Sequence, residues 1–198
     1  MPTTPLHVAV IIGSTREGRF GGTVADWFVD RARLRDDMVL DVIDLVDVEL
    51  PMALPLTSAP AAAAFVERIG RADAFVVLTP EYNHGYPASL KQAIDFPRDE
   101  WREKPVGFVS YGGASGGLRA VEQLRQVFAE LHVVTMRDSV SFAMAWDHFN
   151  ESGQLLDPTV SNGSASTMLD QLAWWATALR AAHLADATPF DAPKMSVA

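Results

Sequence analysis

Residues 78 to 96 read Leu78-Thr-Pro-Glu-Tyr-Asn-His-Gly-Tyr-Pro-Ala-Ser-Leu-Lys-Gln-Ala-Ile-Asp-Phe96. The first of them, Leu78, ends a continuous apolar run that begins at Ala74 and is typical of a buried parallel strand. Pro80 breaks the strand, polar and aromatic residues follow at 81–84, and an amphipathic helix is predicted after Pro87. These groups therefore follow a core strand, at the edge where open α/β sheets bind their ligands. Their residue types favour a flat, heteroatom-rich ring over a sugar or a peptide.

The composition argues against several classes of function. A formal net charge of −9 argues against binding of nucleic acid or an anionic membrane through bulk charge. The chain has no cysteine, which excludes disulfides, thiolate chemistry and cysteine-ligated metal centres. The first six residues lack the basic segment of a signal peptide, and the apolar run Val8–Ile12 is too short to span a membrane. We therefore expect a cytoplasmic protein with no nucleic-acid or membrane partner.

Strands and helices are predicted to alternate along the whole chain. The predicted strands are 6–12, 38–45, 73–79, 104–111 and a fifth that begins over 132–136 and continues raggedly to 142. The predicted helices are 22–34, 60–70, 88–96, 118–131 and 164–184, with loops at 50–59 and 150–163. This alternation predicts an α/β fold: a flavodoxin-like, doubly wound, five-stranded parallel sheet of order 2-1-3-4-5 with helices on both faces. We expect residues 1–185 to form a single domain and residues 186–198 a mobile tail.

The loop after the first predicted strand carries the chemistry of an anion site. It reads Gly13-Ser-Thr-Arg-Glu-Gly-Arg-Phe-Gly-Gly22 and brings hydroxyls, two guanidinium groups and small residues to a helix N-terminus. Free backbone N–H groups and the helix dipole favour an anion there, and arginine adds a bidentate donor. The loop matches neither a Walker A sequence nor G-x-G-x-x-G. Simple helix capping is the alternative, but two arginines in one loop favour a phosphate site.

Two further loops are expected at the same edge of the sheet. In the loop 80–87, Tyr82 and His84 are suited to flank a planar ring, although a core-covering Tyr82 and a turn at Asn83 are the simpler alternative. The loop Ser110-Tyr-Gly-Gly-Ala-Ser-Gly-Gly-Leu-Arg119 has four glycines, which let a backbone approach a ligand closely. Each loop has an ordinary structural explanation by itself. Three such loops after strands 1, 3 and 4 favour one binding site.

The chain resembles the NADPH-dependent FMN reductases of the flavodoxin-like superfamily over about Val8 to Phe142. The resemblance rests on three motifs in order: Gly13-Ser-Thr-Arg-x-Gly-Arg, Pro80-Glu-Tyr-Asn with Pro87-x-x-Leu-Lys-x-x-Ile-Asp95, and Tyr111-Gly-Gly-x-x-Gly-Gly-x-Arg119. It implies that the first loop holds the FMN phosphate, the second lines the isoalloxazine and the third covers its other side. The candidate FMN-binding residues are Ser14, Thr15, Arg16, Arg19, Gly21, Gly22, Pro80, Glu81, Tyr82, Asn83, His84, Ser110, Tyr111, Gly112, Gly113, Gly116 and Gly117. Many relatives have Ser and Asn where this chain has Arg19 and Gly21.

The resemblance also implies a reaction. NADPH, or NADH, gives a hydride to bound FMN, and a quinone, free flavin, azo or nitro compound or metal oxyanion is then reduced in ping-pong order. No side chain needs to act as acid or base, so we name no catalytic residue, and the five histidines form no metal pattern. A homodimer is expected, with pairing into a tetramer as a further expectation. Its candidate surfaces are the apolar residues of 88–96 and the adjacent Trp174 and Trp175.

Three alternatives remain open from the sequence. One is a non-catalytic flavodoxin-like electron carrier or flavin-binding module. Another is a serine hydrolase, because Gly113-Ala-Ser-Gly-Gly117 matches G-x-S-x-G. Its triad would draw on Ser115, Asp138 or Asp157, and His148 or His183. The third is a dinucleotide-binding domain with Asp41 or Asp44 at the ribose, although its glycine fingerprint is absent.

Overall fold

A computed structural model describes residues 4–51, 53 and 60–185 of the chain. The strands are β1 Leu6–Ile12, β2 Met38–Asp44, β3 Ala74–Pro80, β4 Pro105–Tyr111, β5 Val134–Thr135 and β6 Val140–Phe142. The helices are α1 Gly21–Ala32, α2 Pro60–Arg71, α3 Ala88–Asp95, α4 Leu118–Glu130 and α5 Thr159–Leu184. Most of the predicted loop at 50–59 and all of the predicted tail at 186–198 lie outside the described residues, and the domain boundary at 185 stays a prediction.

The strands form one parallel sheet in the predicted order, β2-β1-β3-β4-β5, and β6 also pairs with β4. In the register, Val10 of β1 lies opposite Val42 on one side and Val76 on the other. Every residue of β3 and β4 is buried. These are the central strands, and burial on both faces explains why their sequences are continuously apolar rather than alternating. The predicted fold class is confirmed.

The predicted fifth strand is two short strands instead of one ragged strand. β5 pairs with the start of β4, at Pro105 and Val106, whereas β6 pairs with its end. Between them the chain leaves the ladder, because the carbonyls of Met136 and Arg137 accept hydrogen bonds from Arg125 of α4 at 2.6 and 3.1 Å. The last helix also begins earlier than predicted, at Thr159, whose backbone N–H donates to the Asp157 carboxylate at 3.0 Å.

The core has one layer on each face of the sheet. On one face, α1 and α5 bury residues such as Phe28 and Leu172 against the side chains of β1, β3 and β4. On the other face, α2, α3 and α4 bury residues such as Phe65, Leu90 and Phe128. The helices therefore cover both faces as predicted, and only the ends of the strands are left for a site. Among the described residues no helix is long and apolar enough to cross a membrane.

Candidate functional site

The loops that follow β1, β3 and β4 meet around a cavity of about 330 Å³ at the carboxyl edge of the sheet. This size is sufficient for a small organic ligand. Its lining residues are Arg16, Glu17, Gly18, Arg19, Phe20, Pro80, Glu81, Tyr82, Tyr111, Gly112, Gly113, Ala145 and Trp146. A wider groove of about 900 Å³ lies between α1 and the segment 151–158, and none of the predicted site residues lines it. We therefore assign the candidate site to the smaller cavity, which the predicted loops share.

The first loop is bonded to the second through buried polar groups. Ser14 is fully buried, and its hydroxyl lies 2.6 Å from the phenol oxygen of Tyr82. The backbone N–H of Gly13 donates to the carbonyl of Leu78 at 2.8 Å, and Ser89 Oγ donates to the carbonyl of Gly13 at 2.9 Å. These bonds fix the start of the loop against the end of β3. Thr15, which follows, is exposed.

The two arginines of the first loop have different partners. Arg19 forms a bidentate ion pair with Asp44 at the end of β2, and its Nη1 also donates to the carbonyl of Ser14 at 2.6 Å. The hydrogen bond to Asp44 raises the pKa of Arg19 above its ordinary value. Arg16 is exposed and has no ion pair within the described residues, and its guanidinium lies 6.0 Å from the centre of the Tyr82 ring. Arg16 therefore offers the uncompensated positive charge at this loop.

The N-terminus of α1 is open to an anion. Phe20 occupies the cap position without a side-chain hydrogen bond, and the first turn has no acidic residue. The free N–H groups of the first turn consequently lack a side-chain acceptor. Next to them, a Cβ atom at Gly21 would lie 2.6 Å from the phenol oxygen of Tyr111, so a larger residue at that position would have to displace this buried phenol. Gly22, the next residue, faces open space.

Tyr111 carries a buried hydroxyl that makes no hydrogen bond of ordinary geometry in the described part of the chain, although the Ser14 hydroxyl lies close enough to counteract part of the rise that burial causes in its pKa. The residue is 5% exposed at the end of β4, and burial raises the pKa of its phenol above the ordinary value. The phenol is therefore protonated at neutral pH and is an unused donor. Because an unpaired buried polar group is costly, this hydroxyl indicates a missing acceptor at the cavity.

The second loop is a tight turn that points its central side chains outward. Tyr82 and Gly85 exchange two backbone hydrogen bonds at 2.8 and 3.1 Å, and Asn83 and His84 between them have positive φ angles of 49° and 74°. Two consecutive positive φ angles define a type I′ turn, in which asparagine is favoured. Asn83 and His84 are exposed and do not line the cavity. The turn is held on α4 by Gln123, whose Nε2 donates to the carbonyl of His84 at 2.9 Å.

Glu81 connects the second loop to the third. Its side chain is only 7% exposed, and it forms a 2.8 Å ion pair with Arg119 and accepts from the Arg119 backbone N–H at 3.2 Å. Burial raises the pKa of Glu81, but hydrogen bonds from Ser115 and Arg119 outweigh burial and hold the pKa below its ordinary value. Glu81 is therefore ionised at neutral pH and fixes the loop after β3 to the start of α4.

The glycines of the third loop divide into two pairs. Gly112 and Gly113 line the cavity, and a Cβ atom at Gly113 would meet nothing within 4 Å. Gly116 and Gly117 do not line it, and they have positive φ angles of 60° and 83°. They pack on the strand ends instead, and the buried Ser110 hydroxyl donates to the carbonyl of Gly116 at 2.8 Å. The glycine loop is thus an open wall in its first half and a structural support in its second.

Five residues that line the cavity were not among the candidates, and three of them, Glu17, Gly18 and Phe20, belong to the first predicted loop. The other two, Ala145 and Trp146, lie outside all three predicted loops. They follow β6, which lies beside β4, so their strand ends at the same edge of the sheet. The available signal was an aromatic residue, Trp146, four positions beyond the end of the fifth predicted strand at 142. It was hidden by the uncertain end of that strand.

The described residues do not form the catalytic triad of a hydrolase. Ser115 lies beside Glu81 and lowers the pKa of that carboxyl, whereas His148 Nε2 lies 2.9 Å from the carbonyl of Ala143. His183 pairs with Glu103 at 3.1 Å, before β4, and Ser115 follows β4 at the opposite edge of the sheet. Within the described ranges no group of three metal-binding side chains occurs either.

Comparison with known proteins agrees with this geometry. Residues 6–147 match the model of the NADPH-dependent FMN reductase family, and the chain belongs to that family of oxidoreductases. It is 37% identical over 129 residues to an NAD(P)H-dependent FMN reductase of Schizosaccharomyces pombe, covering 61% of this chain and 64% of that protein, which is less than two thirds of its length. It is 32% identical over 184 residues to a quinone reductase of Pseudomonas putida, covering 88% and 96% of the two chains.

Solved structures show the same fold. A flavoenzyme NAD(P)H:acceptor oxidoreductase of Paracoccus denitrificans superposes with a TM-score of 0.70 at 21% identity, covering 87% of this chain and 98% of that one. A flavodoxin of Megasphaera elsdenii superposes with a TM-score of 0.55 at 10% identity, covering 86% and 98%. The doubly wound sheet is therefore shared with both of these proteins.

Proposed function

We propose that this protein is an FMN-dependent NAD(P)H oxidoreductase that reduces a small-molecule acceptor. The observation that carries the proposal is the meeting, at one sheet edge, of three features. They are a helix N-terminus without a side-chain cap, Arg16, which forms no ion pair within the described residues, and the buried Tyr111 hydroxyl, which makes no hydrogen bond of ordinary geometry within them. These groups suit a phosphate joined to a polar, planar cofactor. The relatives named as FMN reductase and quinone reductase support the same conclusion.

The residues present fit FMN. The N-terminus of α1 and Arg16 are the proposed phosphate-binding groups, and Tyr111 is a proposed donor to the cofactor. Gly112 and Gly113, whose bare backbone lines the cavity, are proposed to lie against the isoalloxazine. When bound, FMN supplies the capacity to accept a hydride and pass two electrons onward. For the other residues predicted from the sequence, including Thr15, Arg19, Asn83, His84 and Gly116, FMN contact stays a prediction.

The protein's own contribution is positioning and electrostatics. The Ser14–Tyr82 bond and the Glu81–Arg119 pair hold the three loops together, and these contacts already engage Tyr82 and Glu81, two of the titratable residues that line the cavity. Arg19 is neutralised by Asp44, so the charge that selects FMN over uncharged riboflavin is Arg16. We accordingly assign no catalytic acid or base.

An absorption spectrum and a binding titration test the cofactor. Purified protein is expected to carry, or to take up, one FMN per chain and to prefer it to riboflavin. Arg16→Ala is expected to weaken FMN by roughly 10- to 100-fold, because a charge-assisted hydrogen bond is lost, and to leave riboflavin nearly unaffected. Arg98→Ala is the matched control, since Arg98 is also exposed but follows α3 at the other end of the sheet. Equal weakening of both flavins by Arg16→Ala contradicts the phosphate site.

Steady-state kinetics test the reaction order. One open cavity supports alternate occupancy by nicotinamide and acceptor, so reciprocal plots for NADPH and quinone are expected to be parallel. Intersecting plots require a ternary complex and contradict the shared site. Steady NADPH oxidation also separates an enzyme from a flavodoxin-like carrier, which does not turn over with NADPH alone. NADH, free flavin, azo and nitro compounds and metal oxyanions are the further substrates to compare.

We also propose a cytoplasmic homodimer, on revised grounds. The predicted apolar surface of α3 is wrong, because Leu90 and Ile94 are 0% and 1% exposed and belong to the protein's own core. Trp174 and Trp175 of α5 remain 65% and 38% exposed, with ring centres 5.0 Å apart. Such a pair supports a contact between two copies. Sedimentation at micromolar concentration is expected to show a dimer that Trp174→Glu dissociates; a monomeric wild type contradicts the proposal.

A further inference from the structure

The segment that follows β6 is hydrogen-bonded to Gly112 and Gly113, the two glycines that line the cavity. The backbone N–H groups of Met144 and Ala145 donate to the carbonyls of Gly113 and Gly112 at 2.9 and 3.1 Å. Ala145 is 1% exposed, so its methyl group anchors the segment in the core. Met144 has a positive φ angle of 48°, which is uncommon for a residue with a side chain. Backbone in this strained conformation persists where its surroundings hold it and is frequent at functional sites.

The strained segment presents Trp146 at the mouth of the cavity. Trp146 lines the same cavity as Gly112 and Gly113, and the residue is 53% exposed. Trp101, by contrast, is fully buried, and its indole N–H donates to a carbonyl at 3.0 Å. The indole N–H of Trp146 has no such partner among the described residues. A large aromatic ring on a residue that lines a cavity and is half exposed is suited to contact a ligand rather than the core.

We propose that Trp146 forms one wall of the acceptor subsite and selects planar, uncharged aromatic acceptors of the quinone class. This inference rests on the proposed function. A bicyclic quinone has a flat face that packs on an indole ring, whereas a compact anionic oxidant gains little from that ring. In the overall reaction NADPH loses a hydride, which is equivalent to two electrons and one proton. The quinone gains these two electrons and two protons, one of which comes from solvent, and becomes a hydroquinone. Trp146 binds the acceptor and takes no part in the proton transfer.

Selectivity between two oxidants tests the assignment. With NADPH saturating, the ratio of kcat/KM for menadione to kcat/KM for ferricyanide is expected to fall roughly tenfold in Trp146→Ala, because a stacking contact is lost. The fall is expected mainly in the KM for menadione, and Trp146→Phe is expected to restore most of it. Trp174→Phe is the matched control, since Trp174 is similarly exposed but lies on α5 outside the cavity, and phenylalanine keeps an aromatic ring at the proposed dimer contact.

Fluorescence provides a readout that does not depend on turnover. Menadione added to FMN-loaded protein without NADPH is expected to quench tryptophan emission saturably, and the absence of cysteine removes thiol alkylation as a complication. The saturable part is expected to be lost in Trp146→Phe and retained in Trp174→Phe. An unchanged oxidant ratio in Trp146→Ala, or unchanged quenching in Trp146→Phe, overturns the assignment.

The two proposals fail in different ways. A wild-type protein that oxidises no NADPH overturns the proposed function, and the quenching titration then still decides whether Trp146 contacts an aromatic ligand. A Trp146→Ala variant that loses FMN affinity, with an unaltered oxidant ratio once FMN is saturating, places the ring at the cofactor instead. That result overturns the acceptor subsite and leaves the proposed function standing.

Discussion

Replacing Gly116 with alanine is expected to destabilise the protein, whereas the same change three residues earlier is not. Gly116 has a φ angle of 60°, and an added Cβ would overlap the hydroxyl of Ser141 and lie 3.0 Å from the backbone nitrogen of Ala143. Ser141 can rotate away, but it then gives up its 2.9 Å hydrogen bond to the carbonyl of Gly116. The backbone nitrogen of Ala143 cannot rotate away, because it directly follows β6 and moves only with that strand. At Gly113 an added Cβ meets nothing within 4 Å.

The magnitude follows from these contacts. A left-handed conformation costs an alanine about 1–2 kcal/mol, and a lost hydrogen bond costs about 1 kcal/mol more. With the backbone contact included, we expect Gly116→Ala to lower the free energy of unfolding by about 2–4 kcal/mol. For a chain of this length that corresponds to a fall in Tm of roughly 4–16 °C. Gly113→Ala is expected to stay within about 0.5 kcal/mol of the wild type, as is usual for a partly exposed position where the added atom meets no neighbour.

Thermal and urea unfolding followed by circular dichroism measure the difference, with FMN absent so that cofactor binding does not mask it. A Gly116→Ala variant that unfolds at the wild-type temperature would refute the reasoning, as would an equally destabilised Gly113→Ala. The experiment also shows which glycine of the third loop can be substituted without destabilising the fold. If only Gly113 tolerates substitution, then Gly113→Val is the correct probe of the cavity wall, because valine at Gly116 perturbs the fold itself.

Three further predictions concern the ion pairs and the cavity. Asp44→Asn breaks the half-buried pair with Arg19 and is expected to lower the free energy of unfolding by about 1–3 kcal/mol in urea titrations, even without FMN. Glu81→Gln is expected to destabilise the protein above pH 4.5 and to have less effect as the pH falls through the lowered pKa of Glu81, because the wild type loses its ion pair there; unfolding in urea at several pH values measures this. Gly113→Val is expected to lower kcat/KM for bulky quinones severalfold with an unchanged Tm, since its side chain enters open space in the cavity.

The sequence by itself determined the architecture and the location of the site. Continuous apolar runs at 74–78 and 105–109 require strands buried on both faces, and their alternation with amphipathic helices allows few arrangements other than a doubly wound parallel sheet. In such a sheet all strands end at one edge, so loops that follow strands 1, 3 and 4 had to meet. Local chemistry was sufficient here because these signals repeat over many residues.

The tertiary structure decided what each residue at that edge does. Arg16 and Arg19 are equivalent in sequence, but only Arg19 lies within reach of Asp44, which is 25 residues away. Gly113 and Gly116 also look alike, yet only the second packs on β6. Trp146 reaches the cavity because Met144 and Ala145 bond to the glycine loop. Each distinction depends on a contact between residues far apart in the chain, and such contacts have no local pattern from which they can be predicted.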